Sequence, residues 1–280
     1  MKRKIVPVEK LKVSGNLDYL YKKVAPSLPD QYALAKQSGF THVEGGMIFK
    51  YPLSEVKAAK EKAGVEQVMM NMADDYLTKG EIGWAAIPGK EKQFCEDLDR
   101  LVEYAKALNC KLVHVLAGKV EKPTPENHEV FMKNLRYALC IFEKEDLYGL
   151  VEAINWVVEP GYYLDTFEKA IDVIKEINSP RLKLLLDIYH LQYCSGNLTR
   201  NLQWLVPYTG HMQISQIPGR HEPGSMGEMN YDFIFKLLKE LGYSGWIGLE
   251  YVPAGDIDEG LEWVAKQGVI GYERPEKKSS

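Results

Sequence analysis

No apolar run in this 280-residue sequence approaches the roughly 20 residues that a membrane-spanning helix needs. The amino-terminal stretch MKRKIVPVEKLKV is charged and lacks the continuous apolar segment of a signal peptide. A soluble, cytoplasmic protein without a membrane partner is therefore expected. Cysteine is scarce: Cys95, Cys110, Cys140 and Cys194 are the only four, and no two form a CxxC pair. That excludes a disulfide framework and predicts free, buried thiols in a reducing compartment. Positive charge is not in excess. Lys and Arg total 35 against 39 Asp and Glu, a formal charge of −4, which argues against a nucleic-acid or anionic-membrane partner. No glycine-rich phosphate fingerprint follows the first strand, which disfavours a dinucleotide-binding fold. No linker or low-complexity stretch divides the chain, so residues 1–280 are expected to form a single domain with a short polar tail from about 272.

What the sequence does contain is one pattern repeated: a short apolar strand, a polar loop, an amphipathic helix. The strand candidates are Lys10–Val13, Thr41–Glu44, Gln67–Asn71, Leu112–Leu116, Leu150–Ala153, Leu182–Asp187, His211–Ile214 and Trp246–Glu250. Most are continuous apolar runs, as parallel strands covered on both faces require. Between them, Phe94, Leu98, Leu101, Val102, Ala105 and Leu108 fall on one helical stripe, and so do Ile234, Leu237, Leu238 and Leu241. Ser38-Gly39, Ala63-Gly64, Ser179-Pro180 and Leu241-Gly242 stand where helices must hand back to strands. Eight strand–helix units favour closure into a (β/α)8 TIM barrel, for which about 250 residues is typical. Two loops are long, from Met72 to about Lys90 and from Pro218 to about Asn230, and long loops in a compact domain are usually functional.

In such a barrel, chemistry sits at the carboxyl ends of the strands. Read in order, those ends offer Asn16, Glu44, Asn71, His114, Glu152, Asp187, Gln213 and Glu250. Any one carboxylate could simply cap the following helix. Eight polar residues, four of them acidic, exceed what capping needs. They are expected to converge on one space, where unpaired negative charge is costly and a bound cation resolves the cost. Glu152, Asp187, Gln213 and Glu250 supply hard oxygen ligands, suited to Mg2+ or Mn2+ more than to zinc. His190 follows Asp187 by three residues and either faces the same site or packs in the core. Arg220 can hold a carboxylate or phosphate through two parallel hydrogen bonds, with a surface arginine as the competing reading. Glu222 is expected to orient Arg220 or to help hold substrate, and His221 to be solvated. His42 and His128 read as flanking residues, and His211 as beginning a strand at the wrong end for the site. Trp84 and Trp156 either wall the pocket or pack the scaffold.

At this point the segments become recognisable. GLVEAIN, LLDIYHLQYCSGNLT, GHMQISQIPGRHEPGSMGEMNY and GLEYVPAGD resemble signature stretches of the hydroxypyruvate isomerase family, within the xylose-isomerase-like barrel superfamily. YAKALNCKLVHVLAG and GEIGWAAIPGK are similar to its animal members in particular. The resemblance runs from SGNLDYL to about Trp263. It implies an aldose–ketose type isomerase that converts hydroxypyruvate to tartronate semialdehyde. By the same resemblance Glu152 and Glu250 are proton donor and acceptor. Glu152, Asp187, Gln213 and Glu250 match the metal-site pattern. His190, Arg220, His114 and Glu222 are expected at a 2-oxo or hydroxy acid substrate, and a homo-oligomer is compatible with it. Two departures stand out. Ala153 occupies a position where the family often has proline, and Gly45 and Gly46 in VEGGMIFKYP reshape one pocket wall.

Three other readings compete. A metal-dependent ketose 3-epimerase would share the two-base arrangement, but related epimerases tend to carry histidine where Gln213 stands. An abasic-site nuclease would need several histidines for three zinc ions, and Asn71 and Gln213 stand where two are wanted. A non-catalytic sugar-acid-binding barrel would not need the acidic set.

Overall fold

The computed structural model describes residues 5–72 and 82–275. Eight strands are present: β1 (Lys12–Asn16), β2 (His42–Glu44), β3 (Glu66–Asn71), β4 (Leu112–His114), β5 (Tyr148–Glu152), β6 (Leu182–Asp187), β7 (Thr209–Ile214) and β8 (Trp246–Leu249). Each pairs in parallel with its sequence neighbour, and β8 pairs with β1 to close the barrel. The expected (β/α)8 TIM barrel is therefore the fold.

The outer helices follow the apolar stripes. Glu91–Leu108 buries Phe94, Leu98, Leu101, Tyr104, Ala105 and Leu108, whereas Val102, at the edge of the stripe, is half-buried. Tyr231–Glu240 buries Ile234, Leu237 and Leu238 together with Tyr231 and Phe235. Helix starts are capped by side chains that accept from exposed backbone N–H groups, among them Ser27, Thr124, Thr166 and Asn230. Leu53–Ala63 ends on Gly64 at φ 67°, a left-handed cap that costs a residue without Cβ little.

The first strand lies further along than the apolar run Lys10–Val13 suggests. Ser14, Gly15 and Asn16 look like turn residues, yet they pair with β2 and β8, and Gly15 fits under the Phe40 ring. The chain is tied to the barrel up to Glu273. Thr41 donates to the Gly271 carbonyl and Glu273 to that of Gly39, and Tyr272 packs edge-on against Phe40. All four cysteines are free, but only Cys110 is buried, and Cys140 is exposed; an amphipathic helix leaves room for a thiol on its outer face. Among the described residues no helix is long and apolar enough to cross a membrane.

Side chains alternate along each strand, so residues two apart share a face. The interior therefore stacks in layers. At the amino-terminal end, His42 stacks on Trp246 at 4.1 Å, with the Lys12 ammonium 5.3 Å from the same ring. Above lies a small apolar plug of Val68, Met69, Leu150 and Leu185. Beside it stand the polar residues Ser14, His211 and Glu44, all inaccessible to solvent. Two residues further along seven of the strands come Asn16, Asn71, His114, Glu152, Asp187, Gln213 and Glu250, the layer that faces the barrel mouth.

Candidate active site

A cavity opens over that last layer, lined by Tyr19, Asn71, Ile82, His114, Leu116, Glu152, Ile154, Val158, Glu159, His190, Gln213, Arg220 and Glu250. Asp187 lies against it, fully buried. Single oxygens of Glu152 and Asp187 and a ring nitrogen of His190 lie within 4.8 Å of one another. Both readings of Asp187 hold at once. Its Oδ1 caps the helix Ile188–Cys194 by accepting from the Tyr189 N–H at 2.9 Å, while Oδ2 faces Arg220 at 3.3 Å.

Arg220 sits at φ 52°, in the left-handed region. The turn carries its side chain inward, where Nη2 also pairs with Glu250 Oε2. The guanidinium lies between two rings, 4.5 Å from that of Tyr19 and 4.7 Å from that of Tyr189. Such stacking suits a planar cation and holds its plane in place. The Nε of Arg220 is buried and has no hydrogen-bond partner among the described residues.

Around His190 the chain fixes the tautomer. The backbone N–H of Asn155, which can only donate, reaches Nδ1 at 3.4 Å, and the side-chain amide of Asn155 lies 2.7 Å from the same atom. The amide cannot flip, because its oxygen already accepts from the Val157 and Val158 N–H groups. Nδ1 is thus an acceptor. Burial, with Arg220 and His114 nearby, holds the ring well below the usual histidine range, so it is neutral and Nε2 carries the hydrogen. That hydrogen faces Asp187 Oδ2 at 3.5 Å and Glu152 Oε1 at 3.8 Å. His190 is therefore a donor into the cavity, and its Nε2 has no lone pair to offer a cation.

His114 is the counterpart. Burial, aided by His211, lowers it to about 3. Its Nδ1 lies 3.1 Å from Asn71 Oδ1; when the ring donates there, Nε2 is an acceptor, without a partner among the described residues and 3.7 Å from Glu152 Oε2. A protonated Glu152 would complement it. Burial, reinforced by the charges of Glu250 and Asp187, raises Glu152 well above the usual carboxylate range. Burial likewise pushes Glu250 up to about 8 against the pull of Arg220. Three carboxylates here face one guanidinium. The raised pKa values favour meeting the surplus with protons, and a hard divalent cation would meet it instead; the donor set fits such an ion.

Glu44, the fourth acid of the strand ends, does not join them. It lies beneath Glu250, fully buried, with Oε2 accepting from Ser14 at 2.8 Å and 2.5 Å from His211 Nε2. Burial would raise its pKa, but His211 and the hydrogen bonds from His211, Gln213 and Ser14 outweigh that and bring it below the usual value. The room comes from β8. A Cβ on Gly248 would stand 2.0 Å from Glu44 Oε1. His211, expected at the wrong end, is thus the inward residue two before Gln213. Removing one partner of such a buried pair costs about 3–5 kcal/mol.

Gln213 spends its Nε2 on Glu44 at 2.9 Å and Glu250 at 3.2 Å, so its carbonyl oxygen is the atom left for the cavity. Glu222 does not reach the cavity. Past the left-handed turn its Oε2 accepts from the Ala254 N–H at 3.0 Å, so it braces the neighbouring loop and not Arg220. His221 does the same, with Nδ1 2.8 Å from the Val252 carbonyl. Trp156 is 68% exposed, and Trp84 lies under the Lys90 ammonium at 4.9 Å; neither lines the cavity. Of the first long loop, residues 73–81 lie outside the described residues, and Ile82 just beyond lines the cavity. Sequence reading passed over Tyr19, Tyr189, Asn155 and Glu159. A buried asparagine one turn past a strand end was the available signal for Asn155.

Comparison with known proteins places this geometry. Residues 32–267 match the family model described as xylose isomerase-like TIM barrel. A Danio rerio protein provisionally named a hydroxypyruvate isomerase is 40% identical over 91% of this chain and 95% of its own length. A 2-oxo-tetronate isomerase of Haemophilus influenzae is 36% identical over 91% of this chain and 98% of its own. A crystal structure from Brucella melitensis, described as an AP endonuclease of family 2, superposes with a TM-score of 0.86 at 32% identity, covering 93% of this chain and 99% of that one.

Proposed function

The chain belongs to the xylose isomerase-like TIM barrel family and is an isomerase, and from this we propose that it interconverts hydroxypyruvate and 2-hydroxy-3-oxopropanoate through an enediolate. The observation that carries the reading is the pair Glu152 and Glu250. Both line one cavity, both are raised out of the usual carboxylate range, and Arg220 lies beside them. Carboxyls whose proton affinity is raised above the ordinary range suit general acid–base work, worth about 10²–10⁴ in rate.

Arg220 receives the substrate carboxylate, its plane held between Tyr19 and Tyr189. One glutamate takes a proton from the hydroxymethyl carbon. The carbonyl oxygen gains the hydroxyl proton of its neighbour, and a glutamate returns a proton to the former ketone carbon. Bonds and protons balance without a redox partner. The Nε2–H of His190 donates to an oxygen of the substrate, and the bare Nε2 of His114 accepts from a hydroxyl. Ile82, Leu116, Ile154 and Val158 keep water from the reacting carbons. Glu152, Asp187, Glu250 and the carbonyl oxygen of Gln213 would hold Mg2+ or Mn2+. When bound, the ion supplies Lewis-acid stabilisation of developing negative charge on oxygen. Small 2-oxo acids as substrates, and a cytosolic location for a protein with four free thiols, complete the reading.

The test is NMR of the protein with hydroxypyruvate in D2O, with and without Mg2+ or Mn2+. Tartronate semialdehyde carrying solvent deuterium supports the reading. Turnover of a four-carbon 2-oxo acid alone would transfer it to the 2-oxo-tetronate relatives' reaction. Epimerisation of a six-carbon ketose alone, or cleavage of abasic DNA with added zinc, would overturn it.

A further inference from the structure

Beneath the cavity, two amides bridge two carboxylates. Asn16 Nδ2 donates to Glu44 Oε1 at 3.0 Å and to Glu250 Oε1 at 3.4 Å. Gln213 Nε2 donates to the same two oxygens, at 2.9 Å and 3.2 Å. Oxygen, nitrogen, oxygen and nitrogen thus form a closed four-atom ring. One oxygen of Glu250 is tied into it, and only Oε2 remains, beside Arg220.

The two amides differ in what else fixes them. Asn16 Oδ1 accepts from the Asp18 and Tyr19 N–H groups at 3.0 and 3.2 Å, so its orientation is set by the backbone. Gln213 has no such brace. Its nitrogen is drawn by two acceptors, Glu44 Oε1 at 2.9 Å and Glu250 Oε1 at 3.2 Å, and Glu44 is the nearer. Glu44 is in turn held on its other oxygen by Ser14 and His211. Were the amide to flip, its oxygen would face Glu250 Oε1, lone pair against lone pair, and the ring would open.

We propose that Glu44 is the positioning residue of Glu250: by accepting from Asn16 and Gln213 it ties down Glu250 Oε1, and so leaves Oε2 as the oxygen turned toward Arg220 and the cavity. It also turns the Gln213 carbonyl oxygen toward the cavity. Glu44 touches neither substrate nor reacting carbon, and the inference rests on the two-glutamate reading above.

Three variants separate orientation from charge and from folding. Glu44→Leu removes every acceptor. Glu44→Gln keeps a carbonyl oxygen that can receive both amides, while its own amide nitrogen can face Ser14 and His211. Gly248→Ala removes no polar group but displaces the Glu44 carboxylate by contact. Turnover and the wash-in of deuterium into unreacted hydroxypyruvate are measured together, because their ratio is independent of the folded fraction. Glu44→Leu and Gly248→Ala should lower kcat a hundredfold or more with KM within threefold, and change the exchange-to-turnover ratio at least fivefold. Glu44→Gln should keep kcat within tenfold and the ratio of the parent. An unchanged ratio in all three, or equal loss in Gln and Leu, overturns the proposal. A crystal structure of Glu44→Leu decides independently of activity. A Glu250 carboxylate and Gln213 amide oriented as in the parent would sink the inference even if the isomerase reading stood. A rotated pair would uphold it even if hydroxypyruvate proved the wrong substrate.

Discussion

Asn155 sets the tautomer of His190: its backbone N–H and its side-chain amide both converge on Nδ1, at 3.4 and 2.7 Å. Long-range 15N–1H NMR should therefore find His190 with hydrogen on Nε2 and a bare Nδ1 at pH 7. Asn155→Asp puts an acceptor where the amide stood, and should move the hydrogen to Nδ1 or protonate the ring. Activity should fall at least tenfold, because the donor aimed into the cavity is lost. A spectrum in which the parent carries hydrogen on Nδ1 would remove His190 as a donor.

Glu152→Gln and Glu250→Gln keep size and remove the exchangeable acid. Each should lower kcat for hydroxypyruvate by about 10²–10⁴, the usual worth of a positioned acid or base. The two changes together should cost far less than their product, since one shuttle is being broken twice. Turnover that survives Glu250→Gln unaltered would show that the protons travel by another route.

Arg220→Lys keeps the charge but loses the plane stacked between Tyr19 and Tyr189. A lysine ammonium cannot hold a carboxylate with two parallel bonds. KM should rise about tenfold, equivalent to about 1.4 kcal/mol, with a smaller fall in kcat. Steady-state kinetics with an α-hydroxy ketone that lacks the carboxylate should show no such change. An equal effect on both substrates would place Arg220 away from that group.

Burial pushes the Glu250 carboxyl from 4.5 to about 8, against the pull of Arg220 and with Asp187 and Glu44 adding to the rise. The folded protein thus keeps a proton there that the unfolded chain releases near pH 4.5. Between those values the folded state binds more protons, so stability must fall as pH rises. The contribution is fully present below pH 4.5 and gone above about 8. Thermal melts in EDTA should show Tm declining across that window. Mn2+ should raise Tm more at pH 8 than at pH 5, because it replaces the proton on the carboxylates. Parallel Tm curves with and without the ion would argue against a cation held by these oxygens.

Much of the fold could be read along the chain, because strand and helix periods are local. Leu182–Asp187 emerged with the bounds expected, and Glu152, Asp187, Gln213 and Glu250 stand on the inward face as their strand-end positions implied. What stayed hidden depends on which residues face one another across the barrel. Glu44 and His211 come from β2 and β7, which are not neighbours in the sheet, and no periodicity links them to the gap at Gly248. Glu222 misled because Arg220 takes a left-handed turn without being a glycine. The reversal that sends one side chain inward and the next acid outward is settled by tertiary contacts.

The apolar plug inside the barrel has consequences for how such a protein changes over generations. Val68, Met69, Leu150 and Leu185 are its buried members, while the large apolar cluster lies between the strands and their covering helices. Cohesion and chemistry thus meet only at the rim of the cavity, where Ile82, Leu116 and Ile154 of that cluster line it. A substitution in the inward polar layer therefore leaves most of the contacts of the outer belt untouched. Within that layer Glu44, His211 and Gly248 are coupled: an apolar side chain at either of the first two, or a Cβ at the third, leaves a buried neighbour without its partner or its room.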